Sequence, residues 1–336
     1  MRFANILLLL DSTNGHMRAL DRAAALARNE GAALTVCGVV NSVPTDYIRN
    51  MMVVTFRELT DIAVEIERER LKKLVKTLDA KDLSISIKVL VGRPHSVVSR
   101  AARLNGHDLI IKSTCGRRTL RSLAAHREDR DLLRFSPCPV WLVSSADGFD
   151  QGCILAAIGM PDRGPLLTEL DSYILAKAAA IALAEFRELH VVHAWQLSHE
   201  GHMRSFGTKA ANLEVDRMIA REAALRTNGL RRAIEATTSE SARIATDFLA
   251  PHLHIIKGHT ENVVPELADR LGAGLIVMGT AARTGLSGLW IGNTAEKVLS
   301  RSDRSFLIVK APERAQLPTP KMNEFEKQDS CTYNVS

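Results

Sequence analysis

Aromatic residues are scarce in this chain: Phe, Tyr and Trp make up 4% of its 336 residues. A surface that stacks nucleobases interleaves aromatic with basic side chains, and here the net charge of +6 is spread along the chain. A nucleic-acid platform is therefore not expected. Cysteines are few and isolated. Cys37, Cys115, Cys138, Cys153 and Cys331 form no Cys-x-x-Cys pair and are odd in number, which suits a reducing cytoplasm. Long apolar runs are missing as well. Asp11 closes Ile6–Leu10, and Lys177 and Glu185 interrupt Ile174–Phe186, so neither reads as a signal peptide or membrane span. The chain also lacks a Walker loop, a Gly-x-Gly-x-x-Gly fingerprint after its first strand and a nucleophile elbow.

What the chain does have is apolar material for two cores: 46% of residues, over a length that exceeds one ordinary domain. An internal repeat organises it. Adding 166 to the numbering superposes Gly92 on Gly258, Val97-Val98 on Val263-Val264, Leu109-Ile110 on Leu275-Ile276 and Trp141-Leu142-Val143 on Leu307-Ile308-Val309, with no gap. Upstream, Ile6 pairs with Ile154 at an offset of 148, so the second half carries about 18 extra residues. These are assigned to a longer second helix around Thr208–Ala236.

Each half then reads β-α-β-α-β-α-β-α-β. Strands are expected at Asn5–Leu10, Leu34–Val40, Ile85–Val91, Leu109–Ile111 and Val140–Val143, then at Ile154–Ile158, Leu189–Ala194, Leu253–Ile256, Leu275–Met278 and Phe306–Val309. Such alternation implies an α/β fold with a five-stranded parallel sheet in each half and helices on both faces. The expected domains are 1–148 and 152–311, divided near Gln151-Gly152. Residues 312–336, with Pro312, Pro318 and Pro320 and no apolar periodicity, read as a disordered tail. The last strand of each half falls at a sheet edge that needs covering. Pairing the two edges about a pseudo-twofold axis gives an intramolecular pseudo-dimer.

Chemistry concentrates between Gly274 and Ala311. A buried strand ends at Gly279, and Gly285, Gly288 and Gly292 lead into a helix start where Asn293 and Glu296 have the spacing of a capping pair. Free backbone amides and the positive dipole end at such a start suit a phosphate. The same glycines also suit a plain strand-to-helix turn. The matching positions of the first half are Ser113, Gly116, His126, Arg127 and Glu128. The bulk of His126 and the charge of Glu128 oppose a phosphate there, so the first loop reads as degenerate. His190, His193, His199 and His202 cluster around the second half's second strand without a zinc-like spacing to Cys or acidic partners. Surface and core histidines are the simpler reading, and no metal ligand is assigned.

Gly279, Ala282 and Gly292 followed by Asn293 and Thr294 resemble the nucleotide-binding signature of the universal stress protein family, with Ala282 at its second glycine and Asn293 at its hydroxyl position. The string from Gly279 to Val298 is most similar to the tandem, E-type branch. That resemblance implies two Rossmann-like, adenine nucleotide α-hydrolase-like domains and a non-catalytic, cytoplasmic stress-response protein, acting in DNA-damaging or oxidative conditions among others. It also implies ATP or another adenine nucleotide as ligand, with or without Mg2+, bound by Met278, Gly279, Thr280, Ala282, Arg283, Gly292, Asn293 and Thr294. In the family an aspartate after the first strand helps hold the nucleoside. Here Gly159 stands opposite Asp11, and Asp162 comes three residues later. Two alternatives stay open: a nucleotide-free dimerisation module and a weak ATPase. A further homodimer and an unidentified protein partner are also compatible with the family.

Overall fold

Apolar segments such as 6–9, 109–111 and 275–278 form strands because they can be buried on both faces, as in a parallel sheet flanked by helices. The computed structural model describes residues 3–11, 16–41, 56–78, 82–114, 122–145, 152–160, 167–205, 207–235, 249–280, 292–310 and 332–333. The first half contains β1 (Asn5–Leu9), α1 (His16–Glu30), β2 (Ala33–Val40), α2 (Phe56–Val75), β3 (Ile85–Val91), α3 (Pro94–Leu104), β4 (Leu109–Thr114), α4 (Ser122–Phe135) and β5 (Val140–Ser144). The second contains β6 (Ile154–Ala157), α5 (Glu169–Ala184), β7 (Leu189–Trp195), α6 (Glu200–Arg204), α7 (Lys209–Glu235), β8 (His252–Lys257), α8 (Thr260–Leu271), β9 (Leu275–Gly279), α9 (Asn293–Arg301) and β10 (Ser305–Val309). A short β11 (Thr332–Tyr333) follows.

One sheet runs through both halves in the order β11-β3-β2-β1-β4-β5-β10-β9-β6-β7-β8. Within each half the five strands are parallel. Where the halves meet, β5 and β10 pair antiparallel, with Phe306 opposite Leu142, Leu307 opposite Trp141 and Ile308 opposite Val140. The expected pseudo-dimer is therefore present, and both edges are closed by each other. Trp141 is 1% exposed at this seam. Helices α1 and α5 complete it: Arg22 pairs with Glu185 at 3.0 Å, Asn29 Nδ2 donates to the Ala184 carbonyl at 2.8 Å, and the Lys177 ammonium lies 3.8 Å from the Phe3 ring centroid. Each sheet face carries a core that continues across the seam.

Proline at Ile308 removes an amide from a central strand and cannot be accommodated there. The Ile308→Pro variant should melt at a clearly lower temperature, because a ladder hydrogen bond is lost in a central strand, and its halves should separate, whereas proline at Asn323 should leave the melting temperature unchanged. Equal effects at the two positions would contradict the seam.

The structure departs from the expected elements in three places. β4 runs on to Thr114, which carries Lys112 and Ser113 inside the sheet. The extra residues of the second half are shared between α7, whose 27 residues compare with 20 in α2, and the longer connection from β6 to β7. The tail expectation lies outside the described residues except at Thr332–Tyr333, which add an antiparallel strand to β3 opposite Leu90 and Val89. Pro265 sits inside α8. The carbonyl that its missing amide leaves free, that of Glu261, accepts from Arg301 Nη1 at 3.0 Å, tying α8 to α9. Among the described residues no helix is long and apolar enough to cross a membrane.

Candidate functional site

Chain direction across the sheet reverses between β1 and β4 and again between β6 and β9, and ligands of open α/β sheets bind beyond the carboxyl ends of such strand pairs. The two crevices are built from equivalent positions: Asp11, Lys112, Ser113 and Asp129 in the first half, and Gly159, Met278, Gly279 and Ala295 in the second.

The first crevice is filled by its own side chains. Lys112, 2% exposed, places Nζ 2.8 Å from Asp11 Oδ2 and 2.8 Å from Asp129 Oδ1. Thr114 Oγ1 donates to Asp129 Oδ2 at 2.6 Å, and Ser113 Oγ lies 3.3 Å from Asp11 Oδ1. Burial pushes the Lys112 pKa down, but the carboxylates of Asp129 and Asp11 outweigh it and hold the ammonium above the ordinary lysine value. A cation locked between two carboxylates leaves neither charge for a ligand. The His126 side chain lies outside the described residues.

Among the described residues the second crevice has no such plug, because the matching side chains are apolar or absent. Its entrance is fixed by α5. Asp171, 4% exposed, accepts from the Gly159 amide at 2.8 Å, the Thr168 amide at 3.0 Å and Thr168 Oγ1 at 2.5 Å. Thr168 in turn accepts from the Asp171 amide, completing a capping box. Among the described residues, the acidic group at the end of β6 is therefore consumed by structure. Gly279 has a structural reason as well: a Cβ there would stand 2.7 Å from Leu170 Cδ2 and 3.0 Å from Ile174 Cδ1. Its missing side chain admits α5 against the end of β9.

Met278 and Thr280 are 4% and 6% exposed. Met278 belongs to the core, and the Thr280 amide donates to the Val309 carbonyl at 3.1 Å, so both form the floor of the crevice. At α9 the expected capping pair is corrected. Gly292, not Asn293, is the N-cap, at φ −61° and ψ 141°, and its carbonyl accepts from the Glu296 amide at 3.1 Å. No described side chain caps this helix, so the first-turn amides from Asn293 to Ala295 face outward at a positive dipole end. Asn293 and Thr294 are exposed beside them. Ala282, Arg283 and Asp162 lie outside the described residues. Along the same edge of the sheet, an open cavity of about 380 Å³ is lined by Gln196, Leu197, His199, Glu200, Lys257 and His259. Sequence reasoning missed it because its lining comes from the start of α6 and the end of β8, which are far apart in sequence.

Other reactive groups are accounted for by packing. Burial pushes the Cys37 and Cys138 thiols up to about 12 and about 11, so neither is a nucleophile near neutral pH. His193 lies in β7 with Nδ1 3.3 Å from the Ile158 carbonyl and Nε2 3.2 Å from Arg226. His199 is the left-handed N-cap of α6, and His202 lies within that helix. His190 instead meets two histidines of β8 that the sequence reading did not associate with it.

Comparison with known proteins agrees with this architecture. The model of the universal stress protein family matches residues 2–144 and 168–310. Universal stress protein E of Escherichia coli K12 is 28% identical over 236 residues, 70% of each chain. The universal stress protein E homolog of Haemophilus influenzae is 24% identical over 316 residues, 92% of this chain and 98% of its own. Among solved structures, a functionally unknown protein from Pseudomonas aeruginosa PAO1 is similar with a TM-score of 0.63 and 25% identity, covering 92% of this chain and 93% of that one. A universal stress protein from Archaeoglobus fulgidus shares the fold at a TM-score of 0.60 and 15% identity, over 92% of this chain and 97% of its own. With both halves matched, the chain belongs to the universal stress protein family of stress-response proteins, as a tandem-domain member of the E type.

Proposed function

We propose that this chain is a non-catalytic stress-response protein whose second domain binds one adenine nucleotide as a regulatory ligand. The observation that carries this reading is the asymmetry of the two crevices among the described residues: Lys112 occupies the first, while Gly159, Met278 and Ala295 place no plug in the second beneath an uncapped helix start. In the bound state the amides of Asn293 to Ala295 and the Asn293 and Thr294 side chains hold phosphate oxygens. Met278, Gly279, Thr280 and Gly292 shape the floor, Ala282 belongs to the phosphate loop, Arg283 reaches a terminal phosphate and Asp162 takes the nucleoside. ATP, alone or with Mg2+, is the first candidate. The domains are 1–148 and 152–311, with 312–336 as a tail, and the protein works in the cytoplasm, passing its loaded state to a protein partner. DNA-damaging and oxidative conditions are the stresses to test.

Phosphoryl transfer needs positioned metal ligands and a group to orient water. Among the described residues, the carboxylate at the crevice entrance, Asp171, is already committed to Gly159 and Thr168. ATP turnover should therefore stay far below about 1 s⁻¹, the low end of ordinary enzymes; a magnesium-dependent rate of that size, lost in Gly292→Val, would overturn the non-catalytic reading. The contacts between Gly279 and Leu170 favour a second reading, in which the glycine serves packing alone and the protein is a nucleotide-free interaction module, forming a further homodimer. Mass spectrometry of small molecules retained through gentle purification separates the two. An adenine nucleotide at one per chain supports the proposal, and a ligand-free protein that ATP does not stabilise supports the alternative.

A further inference from the structure

At the opposite end of the sheet from the crevice, the amino ends of β7 and β8 bring metal-ligating side chains together. Glu188 immediately precedes β7 and lies two residues before His190, so both side chains leave the strand on one face. His252, the first residue of β8, is the direct cross-strand neighbour of His190 in the parallel register, and His254 follows on the same face opposite Val192. The rings stack: His190 and His252 centroids are 4.7 Å apart, and those of His190 and His254 are 5.2 Å apart. One ligand atom each from Glu188, His190 and His252 lies within 4.8 Å of the other two.

We propose that Glu188, His190 and His252 form a binding site for a divalent transition cation, zinc first, with His254 as the residue that orients His190. Glu188 Oε2 and His190 Nε2 are 3.5 Å apart, close to the roughly 3.3 Å between ligands of a tetrahedral zinc with bonds of about 2.0–2.1 Å. His190 Nδ1 stands 2.9 Å from His254 Nε2. A hydrogen on Nδ1 donated to His254 leaves the Nε2 lone pair of His190 for the metal, the arrangement in which a ligating histidine is held by its other nitrogen. Burial lowers the pKa of His190. Burial, together with the charges of His190, Arg270 and His252, lowers that of His254. Two imidazoles and one carboxylate select zinc and its neighbours over magnesium or calcium. Because Glu188 and His252 are exposed, a fourth position faces solvent and takes water, as in three-ligand zinc sites. Four histidines or acids drawn from two strands far apart in sequence carry no linear spacing, which is why the ligand set is invisible without the strand register.

The test is calorimetric titration of the full chain with Zn2+ alone, alongside His252→Ala and Glu188→Gln, whose exposed side chains can change without disturbing the core. Zinc should bind the wild type and raise its melting temperature. Affinity should fall by about 100-fold in His252→Ala and by about 10-fold in His254→Phe, the size of effect seen when an orienting partner is lost. Co2+ bound by the wild type should show the intense visible absorption of tetrahedral coordination, absent in Glu188→Gln/His252→Ala. Equal zinc affinity in the wild type and that double variant, or no thermal shift with zinc in the wild type, would overturn the site.

Discussion

Replacing Lys112 by methionine should destabilise the protein by about 3–5 kcal/mol, the usual cost of removing one partner from a buried ionic group. The loss comes from what is left behind. Asp129 and Asp11 have side chains 5% and 24% exposed, and without the ammonium they face each other across the crevice with no cation between them. Because the folded pKa of Lys112 is raised above its ordinary value of 10.5, its contribution is complete below that pH and is lost only as pH rises through the folded value. The effect should therefore be constant through the neutral range. A second variant separates charge from shape: Asp11→Gly/Lys112→Met/Asp129→Ala installs the residues found at Gly159, Met278 and Ala295. Wholesale apolar replacement of a buried ionic group is often neutral or stabilising by about 1–4 kcal/mol. Denaturant unfolding should then place the triple variant near or above the wild type, well above the single variant. A triple variant as unstable as Lys112→Met would contradict this account of the first crevice.

Gly292→Val should abolish nucleotide binding while leaving the fold intact. The N-cap backbone at φ −61° and ψ 141° is open to any residue, so valine meets no conformational barrier. Loss of a favourable cap residue costs about 1 kcal/mol. The branched side chain instead occupies the space through which a phosphate approaches the first-turn amides. Charge-assisted contacts contribute about 1.5–3 kcal/mol each, so losing two of them weakens binding by more than about 100-fold. Equilibrium binding of a fluorescent ATP analogue measures the loss, and circular dichroism confirms the fold. Undiminished binding in Gly292→Val would remove the loop from the site.

Much of the fold was legible because the physics is local and periodic. Buried parallel strands must be apolar runs, the offset of 166 aligned them without gaps, and unpaired edges such as Val140–Val143 must find cover. Details of the site were less legible because they depend on partners distant in sequence. Lys112 reads as a polar residue leaving a strand until Asp11 and Asp129 close on it from β1 and α4. Gly279 reads as a phosphate-loop glycine until Leu170 of α5 packs on it. The cap at α9 moved from Asn293 to Gly292 because the position is set by the backbone, where the strand-like ψ of Gly292 ends. The histidines of β7 and β8 meet only through the strand register.

Lys112 plugs one crevice and no described residue plugs the other, and the stoichiometry of ATP binding to the full-length chain tests this asymmetry most directly. Titration calorimetry should give one site per chain in the wild type, unchanged in number by Lys112→Met and lost in Gly292→Val. Two equivalent sites per chain, or one site that survives Gly292→Val and disappears in Lys112→Met, would contradict it.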